Sequence, residues 1–173
     1  MPFVIVCPLS QVPASVAASR ARHLVSLLDD GTPVTRPPSI PAANHLFIAI
    51  NDISEPIDGM ILAGEDHVRT LIDFVEAWDG ATPMVVHCNA GISRSTAAAF
   101  IALCVRDPRR DERAIAARLR AASAVASPNP RLVALADQLL GRDGRMIAAI
   151  AEIGRGALAL EGVPFALAIE DDA

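Results

Sequence analysis

Apolar and polar positions along this chain switch between a period of two and a period near 3.6, and the switches mark its elements. Phe3 to Cys7 is a short β-branched run that predicts a strand, closed by Pro8. Pro13 to Arg20 is rich in Ala and Ser and predicts a short helix with proline at its start. Ala21 to Leu28 fits either a continuation of that helix or a strand over His23 to Leu27. Asp29-Asp30-Gly31 reads as a turn, and Thr32 to Ala43, with four prolines, as a surface loop. His45 to Ile50 predicts a second strand. Glu65 to Trp78 places Val68, Leu71, Ile72, Val75 and Trp78 on one side of a helix. Pro83 to His87 is apolar on both faces, as a central strand should be. Ser95 to Val105 is apolar nearly all round and predicts a buried helix. Asp111 to Ala124, Arg131 to Leu140 and Arg145 to Ile153 predict three more helices. The tail beyond Gly154 is Gly-rich and then apolar over Val163 to Ile169, and its pattern assigns it to no element.

Strands alternating with helices predict an α/β fold in three layers. The sheet is expected to be mostly parallel, of about four to five strands, with helices on both faces. A length of 173 residues suits one domain over 1–173. More than half the residues are apolar, which excludes a disordered chain. No apolar run is long enough for a membrane span, and Met1 to Ser10 has no basic residue ahead of its apolar stretch, so neither a membrane protein nor a secretory leader is expected. A formal net charge of −5 weighs against nucleic acid as a partner. Cys7, Cys88 and Cys104 match no zinc spacing and are odd in number, so free thiols in a reducing cytoplasm are expected.

The chemistry concentrates between the central strand and the buried helix, in His87-Cys88-Asn89-Ala90-Gly91-Ile92-Ser93-Arg94-Ser95. A tight loop entering a helix N-terminus offers backbone N–H groups and a dipole to an anion. Ala90 and Gly91 leave room for the backbone of Asn89 to Ser93 to wrap a phosphate. Arg94 supplies a planar fork for two oxygens. The same donors favour a thiolate on Cys88, the nucleophilic form. Ser95 can donate a hydroxyl hydrogen bond to that thiolate. A lone Cys-x5-Arg is a weak signal; the flanking His87, Gly91 and Ser95 and the strand-to-helix context make it specific.

His87-Cys88-x-x-Gly91-x-x-Arg94-Ser95 resembles the signature of the protein tyrosine phosphatase superfamily, and Ala90-Gly91 with Ser93-Arg94-Ser95 is most similar to its dual-specificity branch in a compact, bacterial-type form. The likeness runs roughly from His45 to Cys104. It implies a catalytic core over about 45–141, a helical and apolar tail over 142–173, and phosphomonoester hydrolysis through a thiophosphoryl-cysteine, with no metal and no cofactor. A phosphorylated protein or a small phosphoester would be the substrate, and no nucleic acid or membrane partner is implied. The general acid of the family lies on a loop after a strand some thirty-odd residues before the cysteine, which implies Asp52 here; Glu55 and Asp58 are its rivals.

Other residues read more plainly. His87 is expected to bond the loop backbone or simply to pack in the core. Cys7 and Cys104 read as small buried residues, with a reversible disulfide to Cys88 as the less favoured alternative. Asn129, in Ser127-Pro128-Asn129-Pro130, reads as a helix cap. Arg109, Arg110, Arg113, Arg118 and Arg120 read as a solvated helix face. A non-catalytic phosphate-binding module and a rhodanese-like sulfurtransferase are the competing functions. Absence of Tyr and a single Trp give no sign of an aromatic wall for phosphotyrosine.

Overall fold

The computed structural model describes residues 3–169. Five strands form one sheet: β1 (Phe3–Pro8), β2 (His23–Leu28), β3 (His45–Ala49), β4 (Met84–Cys88) and β5 (Phe165–Ala168). Their order is β3-β2-β4-β1-β5. The first four run parallel, and β5 runs antiparallel to β1 on the edge. Six helices flank the sheet: α1 (Val12–Ser19), α2 (Glu65–Ala77), α3 (Arg94–Arg106), α4 (Glu112–Ala122), α5 (Pro130–Leu139) and α6 (Arg145–Ile153). The architecture is therefore the expected α/β one, with a mixed rather than a wholly parallel sheet. Among the described residues no helix is long and apolar enough to cross a membrane.

Two predictions resolve here. Within Ala21 to Leu28, residues His23–Leu28 form strand β2; five of its six positions are buried between two layers, and a strand buried on both faces has no alternation to read. The apolar tail becomes β5, whose identity depends on pairing with β1 some 160 residues earlier, with Phe3 opposite Ala168 and Val6 opposite Phe165.

The two faces of the sheet carry separate cores. Val4, Val6, Val25, Leu27, Ile48, Met84, Val86 and Cys88 point into the larger one, against the buried residues of α2 to α6. Cys7, Leu24 and Val85 point into a smaller one with Val12 and Val16 of α1 and Ile40 of the long loop. Trp78, expected in the core, is 1% exposed, and its indole N–H donates to the Thr82 carbonyl at 2.9 Å. α3 lies along the centre of the large face, buried from Arg94 to Cys104. Its small first turn, Ser95 to Ala99, lets the helix sit close on β4 and brings its N-terminus up to the strand's carboxyl end, where ligands collect in such sheets.

Candidate active site

Residues 89–93 join β4 to α3, and the loop is held from outside by its carbonyls. The Asn89 carbonyl accepts from Leu9 N–H at 3.1 Å and the Ala90 carbonyl from Gly162 N–H at 2.8 Å. The Ile92 carbonyl accepts from Ser127 N–H at 2.9 Å and the Ser93 carbonyl from Asn129 N–H at 3.2 Å. With the carbonyls turned outward, the amides face the other way. Among the described residues none of the amides of 89–93 donates a hydrogen bond. Ser93 is the N-cap of α3, yet its side chain caps no helical amide. It donates instead to Asp52 Oδ1 at 2.7 Å. The result is a ring of uncommitted N–H groups at a helix N-terminus, the arrangement that binds an anion.

Gly91 is what lets the loop close. Its φ is +70°, and a Cβ there would stand 2.7 Å from Pro8 N and 2.8 Å from the Cys7 carbonyl carbon. β1 therefore presses directly on the loop.

Cys88 ends β4, 2% exposed, with its Sγ 3.2 Å from Ser95 Oγ. Arg94 opens α3 and is 6% exposed. Its Nη1 donates to Asp29 Oδ1 at 2.6 Å and to the Ile50 carbonyl at 2.7 Å, while Nε is buried with no partner among the described residues. An unpaired buried guanidinium nitrogen is costly unless something else meets it. Sequence pattern gave no sign of the Asp29–Arg94 pair: Asp29 reads as a turn residue, 65 positions away.

Asp52 follows β3. Besides the Ser93 hydroxyl, its Oδ1 accepts from Asn129 Nδ2 at 2.8 Å. Its Oδ2 makes no hydrogen bond among the described residues. Asn129 does two jobs, since its Oδ1 also accepts from Arg131 N–H and Leu132 N–H and so caps α5. The loop carrying Asp52 is closed by Asn51, whose N–H donates to the Ile61 carbonyl and whose Oδ1 accepts from Ile61 N–H. Glu55 and Asp58 lie exposed on that loop. A cavity of about 660 Å³ opens beside Asp52, Ile92, Ser93 and Asn129.

His87 faces the opposite side of the sheet from Cys88. It is 0% exposed, with Nε2 2.6 Å from Ser26 Oγ and Nδ1 3.3 Å from the Cys88 carbonyl. Burial lowers its pKa to about 4, only partly offset by the backbone contact to Cys88. Cys7 pairs with His87 in the sheet and shares its face, so its thiol is separated from that of Cys88 by the sheet itself. Burial raises the Cys7 pKa to about 11 and the Cys104 pKa to about 12, and Cys104 lies near the far end of α3. Neither thiol is placed to form the disulfide with Cys88.

The basic face of α4 needs one correction. Arg113 pairs with Glu152 in solvent, as expected of a solvated face. Arg118 and Arg120 instead hold the tail. Arg118 donates to the Ala168 carbonyl at 2.7 Å, and Arg120 donates to the Gly154 carbonyl at 2.8 Å and the Ala124 carbonyl at 2.9 Å. Long side chains find acceptors wherever a helix or strand ends beside them, which helix periodicity cannot show.

Residues 59–139 match the family model of the protein-tyrosine phosphatases. The chain has no match among curated proteins. Its fold matches the crystal structure of the PTP-2 phosphatase of Cydia pomonella at 20% identity and TM-score 0.61, over 78% of this chain and 84% of that one. Human DUSP28 matches at 16% identity and TM-score 0.61, over 80% and 92%. The human tyrosine phosphatase-like serine/threonine/tyrosine-interacting protein matches at 17% identity and TM-score 0.61, over 81% and 92%. The family match and the fold agree: residues 59–139 resemble the protein-tyrosine phosphatases, and the chain has the fold of the dual-specificity phosphatases.

Proposed function

We propose that the chain hydrolyses phosphomonoesters, of a phosphorylated protein or a small molecule, in two steps through Cys88. The observation that carries this reading is the pair of unmet donors at one place: the amides of 89–93 and the buried Nε of Arg94. Nη1 is held by Asp29 and Ile50, so the remaining edge of the guanidinium is the fork offered to two equatorial phosphoryl oxygens. Cys88 Sγ attacks phosphorus as the bond to the leaving oxygen breaks. Asp52, held on the loop through Ser93, protonates that oxygen from its uncommitted Oδ2 side. Water then attacks the thiophosphoryl group, and Asp52 takes its proton. The S–P bond breaks, the electron pair returns to sulfur, and the Ser95 hydroxyl steadies the thiolate. Positive charge comes from Arg94 and the α3 terminus, so no metal or cofactor enters the scheme. A reducing cytoplasm suits an enzyme whose nucleophile is a thiol.

The test is hydrolysis of an aryl phosphate by wild type, Cys88→Ser and Asp52→Asn. Cys88→Ser should be inactive, and Asp52→Asn should lose about 10²- to 10⁴-fold in kcat, the usual worth of a positioned general acid. Wild-type kcat/KM should show the pH dependence that a required general acid imposes, and Asp52→Asn should lose that dependence. Equal rates for wild type and Cys88→Ser would overturn the reading.

A further inference from the structure

Ser26 is a hydroxyl in an otherwise apolar stretch, Leu24-Val25-Ser26-Leu27-Leu28, and is 0% exposed in the middle of the sheet. A buried hydroxyl there must be hydrogen-bonded. It pairs directly across from His87 on β4, while His45 of β3 sits opposite Leu24, two positions back on the same face. Ser26 Oγ lies 2.6 Å from His87 Nε2 and 2.9 Å from His45 Nε2. One hydroxyl thus joins two imidazoles on three adjacent strands.

The chemistry of the acceptors fixes every proton in this chain. The Cys88 carbonyl can only accept, so His87 Nδ1 must carry a hydrogen and donate to it. His87 is neutral, so its Nε2 is bare and accepts the Ser26 proton. Ser26 has then spent its only proton, and its oxygen must accept from His45 Nε2–H. The sequence of donors runs His45 to Ser26 to His87 to the Cys88 carbonyl. With His45 donating, a further proton on His87 Nε2 would set two donors against the Ser26 oxygen and leave the buried hydroxyl hydrogen without an acceptor. The charged groups facing this chain are Arg36, from the loop after β2, at His45, and Arg94, from α3, at His87. Both also disfavour a cation on the rings.

We propose that Ser26 and His45 are positioning residues for the Cys88 nucleophile, holding His87 in its Nδ1–H tautomer so that it donates to the Cys88 carbonyl. This rests on the reading of Cys88 as the nucleophile. The donated bond orients the Cys88 peptide at the mouth of the phosphate loop and leaves its dipole favouring negative charge on sulfur. His45, half-buried on the edge strand, sets the direction of the whole chain from the periphery.

Two measurements test it. Long-range proton–nitrogen correlation spectra of the wild-type protein should show His87 protonated on Nδ1 and His45 on Nε2. Iodoacetamide alkylation of Cys88 at pH 6.5 should slow about fivefold in Ser26→Ala and in His45→Phe, the effect of losing one hydrogen bond's net worth. In both variants kcat should fall with it while KM stays within about twofold, since no group touching phosphate is altered. His45→Gln, whose amide can still donate, should restore most of the rate. An Nε2–H tautomer on His87 would overturn the proposal, whether or not any variant folds. So would unchanged alkylation in folded Ser26→Ala and His45→Phe. A wild-type protein that hydrolyses no phosphoester would instead overturn the phosphatase reading, because tautomers and alkylation are read without substrate.

Discussion

At the scale of single residues, the shape of the site depends on positions that have no side chain as much as on Cys88 and Arg94. Gly91 combines a φ of +70° with contact to the backbone of Cys7 and Pro8. Gly59 has a similar φ of +76° but open space where a Cβ would go. The two glycines therefore separate conformational cost from collision. Gly59→Ala should cost about 1 kcal/mol, the left-handed penalty alone. Gly91→Ala should cost about 2–4 kcal/mol, since overpacking adds about 1–3 kcal/mol, and should also displace the amides of residues 89–93. Urea unfolding measures both, and aryl phosphate hydrolysis by folded Gly91→Ala should be lost out of proportion to its stability. Equal destabilisation by the two changes would mean that β1 does not press on the loop. Gly91 was legible as a small residue near the cysteine. Its collision with β1 was not, because Cys7 and Pro8 lie more than eighty residues away.

At the scale of elements, the strand–loop–helix unit β4–α3 was readable because pattern and chemistry coincide: an apolar run, a phosphate-type loop and an Ala-rich helix follow one another without a gap. β2 and β5 were not readable in the same way. The first lacks alternation because both its faces are covered, and the second is defined only by its distant partner. The same holds for side chains that join elements. Arg94–Asp29, Asp52–Ser93 and Ser26–His45 are tertiary contacts between residues of ordinary local pattern. A further contact of this kind locks α4 to the segment before α6. Glu112 accepts from Arg142 at 2.8 Å, with their side chains 6% and 9% exposed, and Arg142 also donates to the Cys104 carbonyl. Glu112→Ala would leave that guanidinium buried and without its carboxylate, so it should cost about 3–5 kcal/mol. An exposed pair such as Arg113–Glu152 should cost at most about 1 kcal/mol when Glu152 is replaced by Ala. Chemical denaturation of the two variants decides it, and similar losses would show that the buried pair is no more than a surface one.

At the scale of the whole molecule, the sheet divides the chemistry. Cys88 points to the thick helical face and His87 to the thin face under α1, and that separation keeps an imidazole next to Cys88 without exposing the ring to water. The arrangement ties the stability of the fold to pH. Burial holds the folded-state pKa of His87 at about 4, below the ordinary value of 6.5. His23 and His45 are also lowered by burial. Between pH 6.5 and about 4 the unfolded chain therefore binds protons that the folded one refuses. The His87 contribution is whole above pH 6.5 and is lost as the pH falls, amounting to about 3 kcal/mol by pH 4. Urea unfolding at pH 7.5, 6.0 and 5.0 should show stability falling steadily, and His87→Gln, which has no proton to take up, should flatten part of that slope. Parallel slopes for wild type and His87→Gln would show that His87 is not held neutral by the fold.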